Sequence, residues 1–233
     1  MAELRVFSTI GVQIAIEELG PLFERASGHK LALTWATAPM LVRRIQGGET
    51  ADVLILNRAG IETLTAEGRI VAGSGGPLAS SSIAMAVRAG ASKPDISTAD
   101  ALKRTLLAAK SISYTDPAAG GASGIFIAKL LERWGIAEAV NVKNSFPPAG
   151  GYAATLLLTG EAELAIQQEP ELMRVGGIEL VGLLPAEANV VTEFVTGLAT
   201  DCRQVDAARA LLAFLHSAAS ASVFKGHGLG WVS

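Results

Sequence analysis

Short apolar runs alternate with helical segments along this chain, and this alternation limits the folds that it can adopt. The clearest run, Asp52–Leu56 (DVLIL), has no polar residue after the first, as expected for a parallel strand buried on both faces. Helical spacing of apolar residues appears between such runs, for example in Val12–Ala26 and Ile125–Trp134. The βαβ rhythm indicates an α/β protein with mostly parallel sheets flanked by helices.

The rhythm is interrupted once, by Val71–Ser82, which is rich in Gly, Ser and Pro and has few side chains able to build a core. We expect a linker or crossing segment there, between two βαβ-rich halves. A second Gly/Pro-rich loop precedes a predicted helix over Tyr152–Thr159, and a long amphipathic helix over Val205–Ser217 precedes the tail. A chain of 233 residues is long enough for two small lobes.

Composition excludes several classes of partner. The net charge is −3 and no Lys/Arg cluster appears, which argues against nucleic acid and anionic membrane surfaces. No apolar stretch approaches the ~20 residues that a membrane helix needs. Cys202 is the single cysteine, and His29, His216 and His227 are scattered, so no metal site or cofactor is expected. Because the N-terminus enters a strand-like run at once, we expect a periplasmic protein if a signal peptide was removed, and otherwise a cytoplasmic one.

Three predicted strand-to-helix loops could bind an anion. They are Ser8–Gly11, Thr37–Pro39 and Gly120–Gly124, and each offers small or hydroxyl residues at a helix N-terminus, where amide donors are unpaired. Ser8, Thr37 and Ser123 could equally be ordinary N-caps, which use the same residue types. Three such loops in one α/β chain favour a shared anion site. Arg43 and Arg44 follow one loop, but adjacent helical positions diverge by about 100°, so at most one could face a ligand.

Other motifs for phosphate or acyl chemistry do not fit. The glycine-rich loop Gly120–Gly124 lacks the Gly-Lys-Ser/Thr ending of a P-loop, and Gly121–Ile125 lacks the last glycine of a GxSxG elbow. Nucleotide hydrolysis and serine hydrolase chemistry are therefore not expected.

Four segments carry a family resemblance: ADVLIL (51–56), DPAAGGASGIFIAKLLERWGI (116–136), TGEAELAI (159–166) and GIELVGLLP (177–185). In this order they resemble the periplasmic molybdate-binding proteins, which are type 2 solute-binding proteins of ABC transporters. The resemblance implies a two-lobed type 2 periplasmic-binding-protein fold with the ligand cleft between the lobes. Because the chain of that family crosses twice, residues 1–81 with 191–233 would form lobe 1 and residues 82–190 lobe 2.

The family pattern also implies site positions, and this sequence departs from it at several. The first-loop serine falls near Gly11, with Ser8 and Thr9 close by, the second-loop serines fall on Thr37–Pro39, and the tyrosine falls on Gln168. A carboxylate ligand therefore fits as well as a tetrahedral oxyanion. The DPAAGGASG loop is similar to a subgroup that includes an aconitate isomerase. The expected ligand-binding residues are Ser8, Thr9, Gly11, Thr37, Ala38, Ser81, Gly121, Ala122, Ser123, Gly150, Gly151, Tyr152 and Gln168.

Three functions stay open at this point. The first is a monomeric solute-binding protein that closes on a small di- or tricarboxylate or oxyanion and delivers it to the membrane component of an ABC transporter. The second is an aconitate-type isomerase, which needs a general base; Asp116 and Glu169 are the candidates, although both residue types also favour turns and helix starts. The third is a cytoplasmic ligand sensor.

Overall fold

The computed structural model describes residues 1–148 and 150–231. In chain order the strands are β1 (Glu3–Thr9), β2 (Lys30–Ala36), β3 (Val53–Asn57), β4 (Pro77–Ser81), β5 (Ile83–Arg88), β6 (Ile112–Tyr114), β7 (Asn144–Ser145), β8 (Leu164–Gln168), β9 (Ile178–Leu183), β10 (Thr192–Leu198) and β11 (Gly230–Trp231). The α-helices are α1 (Gln13–Ser27), α2 (Ala38–Gln46), α3 (Arg58–Ala66), α4 (Ala99–Ala108), α5 (Ala122–Arg133), α6 (Ala137–Asn141), α7 (Thr155–Thr159), α8 (Glu169–Met173), α9 (Val205–Leu215) and α10 (Ala218–Gly226).

These elements form two compact units. Unit 1 comprises Met1–Ser80 and Thr192–Ser233, and unit 2 comprises Ser81–Val191. Each unit has one sheet with helices packed on it, which confirms the predicted α/β class.

The sheet of unit 1 has the strand order β11-β4-β10-β3-β1-β2. Strand β1 lies parallel to both β2 and β3, whereas β10 runs antiparallel to β3. Strand β3 is buried over Val53–Leu56, as its unbroken apolar run predicts. Helices α1 and α9 cover one face through Ile16, Leu19 and Leu211.

The sheet of unit 2 has the order β7-β6-β8-β5-β9. Strands β6, β7 and β8 are parallel, and β5 runs antiparallel to β8 and β9. Both sheets are therefore mixed, with the parallel strands supplied by the βαβ units. One face of this sheet is covered by α4 and α5 through Leu102, Leu106 and Ile127.

Three local expectations differ from the structure in part. The chain does pass from unit 1 to unit 2 within Val71–Ser82, between Ser80 and Ser81, but the segment also contributes to a core. It contains β4, whose Leu78 and Ala79 are fully buried in unit 1, because pairing with distant β10 and β11 makes a strand of a segment with little local signal. The helix expected from Tyr152 begins only at Thr155, since the Ala153 N–H donates to the side chain of Gln167 at 2.8 Å. The helix predicted over Val205–Ser217 is present as α9, Val205–Leu215, but the tail expected after it contains a second helix, α10.

No single helix in the described ranges is long and apolar enough to cross a membrane, although the bent pair α9 and α10 passes that test by length and composition together.

Candidate functional site

In unit 1, the first two loops of interest lie side by side. Thr9 ends β1 and is paired in register with Ala36, the last residue of β2, so Thr9 and Thr37 stand at neighbouring strand ends. Thr9 precedes a 3-10 turn over Ile10–Val12, and Thr37 is the N-cap residue of α2. The parallel pairing of β1 and β2 thus brings two predicted hydroxyls to one edge of the sheet.

Neither hydroxyl acts as a cap. Thr9 and Thr37 have the extended backbone of N-cap residues, yet neither side chain accepts a capping hydrogen bond, and within residues 1–148 and 150–231 both buried Oγ1 atoms have no hydrogen-bond partner. Some other N-cap side chains do cap their helices: Thr98 Oγ1 accepts from the Ala101 N–H at 3.1 Å, and Asn57 Oδ1 accepts from the Gly60 N–H at 3.0 Å.

Thr37 is therefore not a side-chain cap of α2. A buried hydroxyl without a partner costs about 1–3 kcal/mol, so two of them at adjacent strand ends are expensive unless a ligand satisfies them. A hydroxyl can donate to an oxyanion, as can the N–H groups of the first turn of α2, which have no acceptor within the helix. Pro39 at the second position of α2 removes one of these amide donors.

Two other predicted residues of unit 1 have different surroundings. Ser8 is fully buried within the sheet, opposite Trp35 and Ile55, and its Oγ lies 3.4 Å from the Thr9 carbonyl oxygen. A Cβ on Gly11 would lie 2.6 Å from Cζ of Phe194, so the aromatic ring excludes a side chain at this position.

The arginines after the second loop are engaged elsewhere or exposed. Arg44 donates to both carboxylate oxygens of Glu49, at 2.8 and 2.6 Å, and its guanidinium lies 4.8 Å from the ring centroid of Phe7. Arg43 is exposed. The candidate donors of unit 1 are therefore neutral groups.

In unit 2, the remaining candidates collect at one edge of the second sheet. Strands β6 and β8 end there, with Tyr114 opposite Ile166, and β5 begins there, with Ile83 opposite Gln168. The Glu169 N–H donates to the Ser82 carbonyl oxygen at 3.0 Å, which fixes the segment that contains buried Ser81 beside Gln168.

The glycine-rich loop reaches this edge as the start of α5. Gly121 is the N-cap residue, and Ala122 and Ser123 supply first-turn amide groups that have no acceptor within the helix. Ser123 is buried, with its Oγ 3.5 Å from Thr115 Oγ1. A Cβ on Gly124 would lie 2.2 Å from the Thr115 carbonyl oxygen, so this glycine is needed for close packing of α5 on the end of β6.

The second glycine loop is held by residues that the motif search missed. Gly150 has a left-handed backbone (φ 77°), and the Gly151 N–H donates to the Pro148 carbonyl oxygen at 2.8 Å. Tyr152 is partly buried, with the Arg174 guanidinium 5.6 Å from its ring centroid. Buried Gln167 accepts from the Ala153 N–H, an interaction that no local pattern indicates.

Three carboxylates stand close to these loops. Asp116 Oδ1 accepts from the Ala118 N–H at 2.9 Å, so Asp116 caps the turn that follows β6. Burial raises the pKa of Glu169, the first residue of α8. Burial also raises the pKa of Glu171 to about 7, against hydrogen bonds from the Gln168 N–H and the Gln167 side chain that lower it. Glu171 was not predicted, although its place three residues after an N-cap residue is a capping-box position.

Within the described ranges, no group of three or more His, Cys, Asp or Glu residues could hold a metal ion. The two candidate sets consist of hydroxyls, amides and helix N-termini, without a lysine, arginine or histidine among them. In each set, donors of this kind can bind an anion by hydrogen bonds without a basic side chain.

Comparison with known proteins agrees with this class. The chain matches the family described as "Bacterial extracellular solute-binding protein" over residues 4–230, and it belongs to that family. It is 36% identical over 232 residues to an aconitate isomerase from Pseudomonas sp, covering 97% of this chain and 87% of that one.

Solved structures with the same fold include two oxyanion-binding proteins. The periplasmic molybdate-binding protein of Azotobacter vinelandii has a TM-score of 0.80 at 15% identity, covering 99% of this chain and 100% of that one. The sulfate-binding protein SubI of Mycobacterium tuberculosis has a TM-score of 0.75 at 17% identity, covering 100% of this chain and 88% of that one. At these identities the likeness shows the fold alone, which is the two-lobed fold that the sequence predicts.

Proposed function

We propose that this protein binds a small di- or tricarboxylate through neutral hydrogen-bond donors. The observation that carries the proposal is the pair of buried hydroxyls, Thr9 and Thr37, which have no partner among the described residues. A carboxylate oxygen accepts several hydrogen bonds at once, so one ligand group would satisfy both threonines together with amide donors of α2. Gln168 and Tyr152 in unit 2 are of the types that hydrogen-bond carboxylates.

The choice of a carboxylate over a tetrahedral oxyanion is supported by two observations. The relative with 36% identity is named for its action on aconitate, an unsaturated tricarboxylate. Gln168 stands where the resemblance to molybdate binders implies a tyrosine.

Ligand-induced stabilisation tests this function. We expect trans-aconitate, cis-aconitate or citrate to raise the melting temperature, because a ligand at a hundred times its Kd stabilises the folded state by about 2.7 kcal/mol. Thr37→Val should abolish most of the effect, whereas the matched variant Thr98→Val, which removes a capping hydroxyl, should keep it. Stabilisation by molybdate and sulfate without the carboxylates would overturn the ligand class, and silence from all five would overturn anion binding.

Isomerisation of the bound ligand is a second candidate function, favoured by the aconitate isomerase relative and by Glu169. In this reaction the Glu169 carboxylate takes a proton from the methylene carbon of aconitate. The C–H electron pair forms a new double bond, and the old double bond takes the proton at its far carbon. The step balances without an oxidant or a cofactor, and a raised pKa suits a base that must also return the proton.

Proton NMR of cis- or trans-aconitate in D₂O tests the isomerase. The proposed step predicts conversion, with deuterium in the product to the extent that the proton held by Glu169 exchanges with D₂O before it is returned, and Glu169→Gln should slow conversion by ~10²-fold or more. Glu138→Gln, at an exposed glutamate of α6, is the matched control. Binding without conversion by concentrated protein would leave a solute-binding protein and refute the isomerase.

We extend the family's extracellular location to this chain as part of the proposal, with a membrane transporter component as partner and a monomer as the working form. Fractionation of native cells and light scattering of the purified protein test location and oligomeric state. Recovery in the cytoplasm would favour a ligand sensor instead.

A further inference from the structure

An ion pair lies at the same edge of the unit 1 sheet as Thr9 and Thr37. Arg58 Nε donates to Oε2 of Glu193 at 2.6 Å. Arg58 is the first residue of α3, directly after the end of β3, and Glu193 is the second residue of β10. The edge that holds the two hydroxyls therefore also carries a positively charged group, which the loops chosen from the sequence do not include.

The strand register shows how far this ion pair is from Thr9. Strands β1 and β3 are parallel and end within one residue of each other, at Thr9 and Asn57. Strand β10 lies on the other side of β3, where Phe194 is opposite Asn57. Neighbouring strands are about 4.8 Å apart, so the ion pair lies roughly 10 Å from the Thr9 hydroxyl.

The hydroxyl and the ion pair also face the same side of the sheet. Phe7 of β1 and Val195 of β10 both belong to the core beneath α2 and α3. Alternate residues of a strand point to the same face. Thr9 lies two positions after Phe7 and therefore faces the side of α2 and α3. Glu193, two positions before Val195, faces that side as well, so no strand separates the two groups.

The position of Arg58 is unfavourable for the helix that it starts. The N-terminus of a helix carries a partial positive charge, which favours Asp and Glu in the first turn and disfavours Arg. The first turn of α3 has no acidic residue. Glu193 and Glu62, which lies four positions further along α3, are the carboxylates whose charges act on Arg58. A departure of this kind from local preference is typical of a functional site.

The ion pair is accessible to a ligand. The side chains of Arg58 and Glu193 are 48% and 37% exposed. An ion pair with this exposure contributes little to stability, so a ligand carboxylate can compete with Glu193 at a small cost. A guanidinium has five N–H donors, of which Glu193 uses the one on Nε, and it can bind a carboxylate through two parallel hydrogen bonds.

We propose that Arg58 binds a second carboxylate of the ligand whose first carboxylate is held by Thr9 and Thr37, and that Glu193 competes for the same guanidinium. This inference rests on the proposed function, because it needs a polycarboxylate at the threonines. The carboxylates of one aconitate or citrate molecule are several ångströms apart. With a hydrogen bond at each end, such a molecule spans the roughly 10 Å between the Thr9 hydroxyl and the ion pair. Arg58 then favours polycarboxylates over monocarboxylates, and Glu193 limits their affinity.

Calorimetric titration with trans-aconitate at pH 7.5 tests both residues, because they act in opposite directions. Arg58→Gln removes the positive charge, and we expect binding to weaken by about tenfold. Glu193→Gln removes a negative charge and a competing acceptor, and we expect binding to tighten by several-fold or more. Both effects should shrink as KCl is raised from 0.05 to 0.5 M, because the pair is exposed.

Arg44 and Glu49 form a matched control pair. They also bond at 2.6 Å, and their side chains are 37% and 49% exposed. Arg44 lies seven positions after Thr37, about 10 Å along α2 and away from the edge of the sheet. Arg44→Gln and Glu49→Gln change the net charge as the test variants do. We expect the wild-type Kd for both, which separates a local contact from long-range attraction.

The possible outcomes separate the inference from the proposed function. If Arg58→Gln leaves binding unchanged, or if Glu193→Gln fails to tighten it, the pair only joins β10 to α3 and the inference is wrong, although aconitate binding stands. If the wild type does not bind trans-aconitate, the proposed function fails and the inference fails with it. If Arg58→Gln folds poorly, Glu193→Gln still decides the question, because partial unfolding cannot tighten binding.

Discussion

The contact between Gly11 and Phe194 gives the sharpest prediction about the first loop. A Cβ on Gly11 would lie 2.6 Å from Cζ and 3.0 Å from Cε1 of Phe194, whereas carbon atoms in contact normally lie 3.5–4.0 Å apart. The ring must therefore move by about 1 Å in a core where it is 3% exposed. Overpacking of this kind costs about 1–3 kcal/mol, so Gly11→Ala should lower the melting temperature by roughly 4–8 °C for a 2 kcal/mol loss.

A double-mutant cycle checks the cause. Phe194→Leu alone should cost about 1–2 kcal/mol through lost packing, but it also removes the Cζ and Cε1 atoms that a Cβ at position 11 would meet. We expect the double variant to be about as stable as Phe194→Leu alone, which corresponds to a coupling energy near 2 kcal/mol, measured by urea unfolding. Additive losses would show that the ring does not exclude a side chain from the first loop.

Three further perturbations have defined outcomes. Thr9→Val and Thr37→Val should leave the free energy of unfolding in urea unchanged or raise it by about 1 kcal/mol, because each removes a buried hydroxyl with no partner in the described ranges. Thr98→Val should instead lose about 1 kcal/mol, because its hydroxyl caps α4. Equal losses for all three variants would refute the difference between unpartnered and capping hydroxyls. Glu171 has a folded pKa raised from 4.5 to about 7, so its contribution to stability is complete below pH 4.5 and is lost as pH rises through 7. The free energy of unfolding of Glu171→Gln should therefore rise relative to wild type by up to roughly 3 kcal/mol between pH 4.5 and 8. Parallel curves of stability against pH for the two proteins would contradict this. Burial lowers the pKa of His216, whose Nε2 lies 3.0 Å from Thr196 Oγ1. Unit 1 should therefore lose stability as pH falls below 6.5, and His216→Gln should reduce this loss in a plot of the free energy of unfolding against pH.

Much of the fold could be predicted because its signal is local. The buried run of β3 and the apolar spacing of α1 and α5 can be recognised from a few neighbouring residues, and their order alone predicts an α/β chain. Strand β4 is different: Leu78 is its one large buried side chain, and its partner β11 lies about 150 residues further along the chain, so composition alone indicated a linker.

In the candidate site, too, some features have a local sequence signal and others depend on residues far apart in the chain. The position of Thr37 before a helix was predictable, but whether its hydroxyl caps that helix depends on side-chain geometry that no spacing encodes. Phe194 excludes a side chain at Gly11 from 183 positions away, and Gln167 reaches back to Ala153 across α7. In contrast, the spacing from Gln168 to Glu171 was a local signal, and a search for capping boxes with glutamine at the N-cap would have found it.

The division of the chain into a continuous unit 2 and an interrupted unit 1 bears on how the protein is made. The residues of unit 2, Ser81–Val191, leave the ribosome as one stretch that holds every strand of its sheet. Unit 1 has β1, β2 and β3 early, but β10, which pairs with β3, and helix α9, which covers Ile16 and Leu19, are synthesised more than a hundred residues later. During translation β1, β2 and β3 therefore have an unpaired sheet edge and an exposed apolar face until β10 and α9 are made, whereas unit 2 can already fold. A released fragment that ends at residue 191 should accordingly protect unit 2 from protease and leave residues 1–80 open to cleavage and to chaperones.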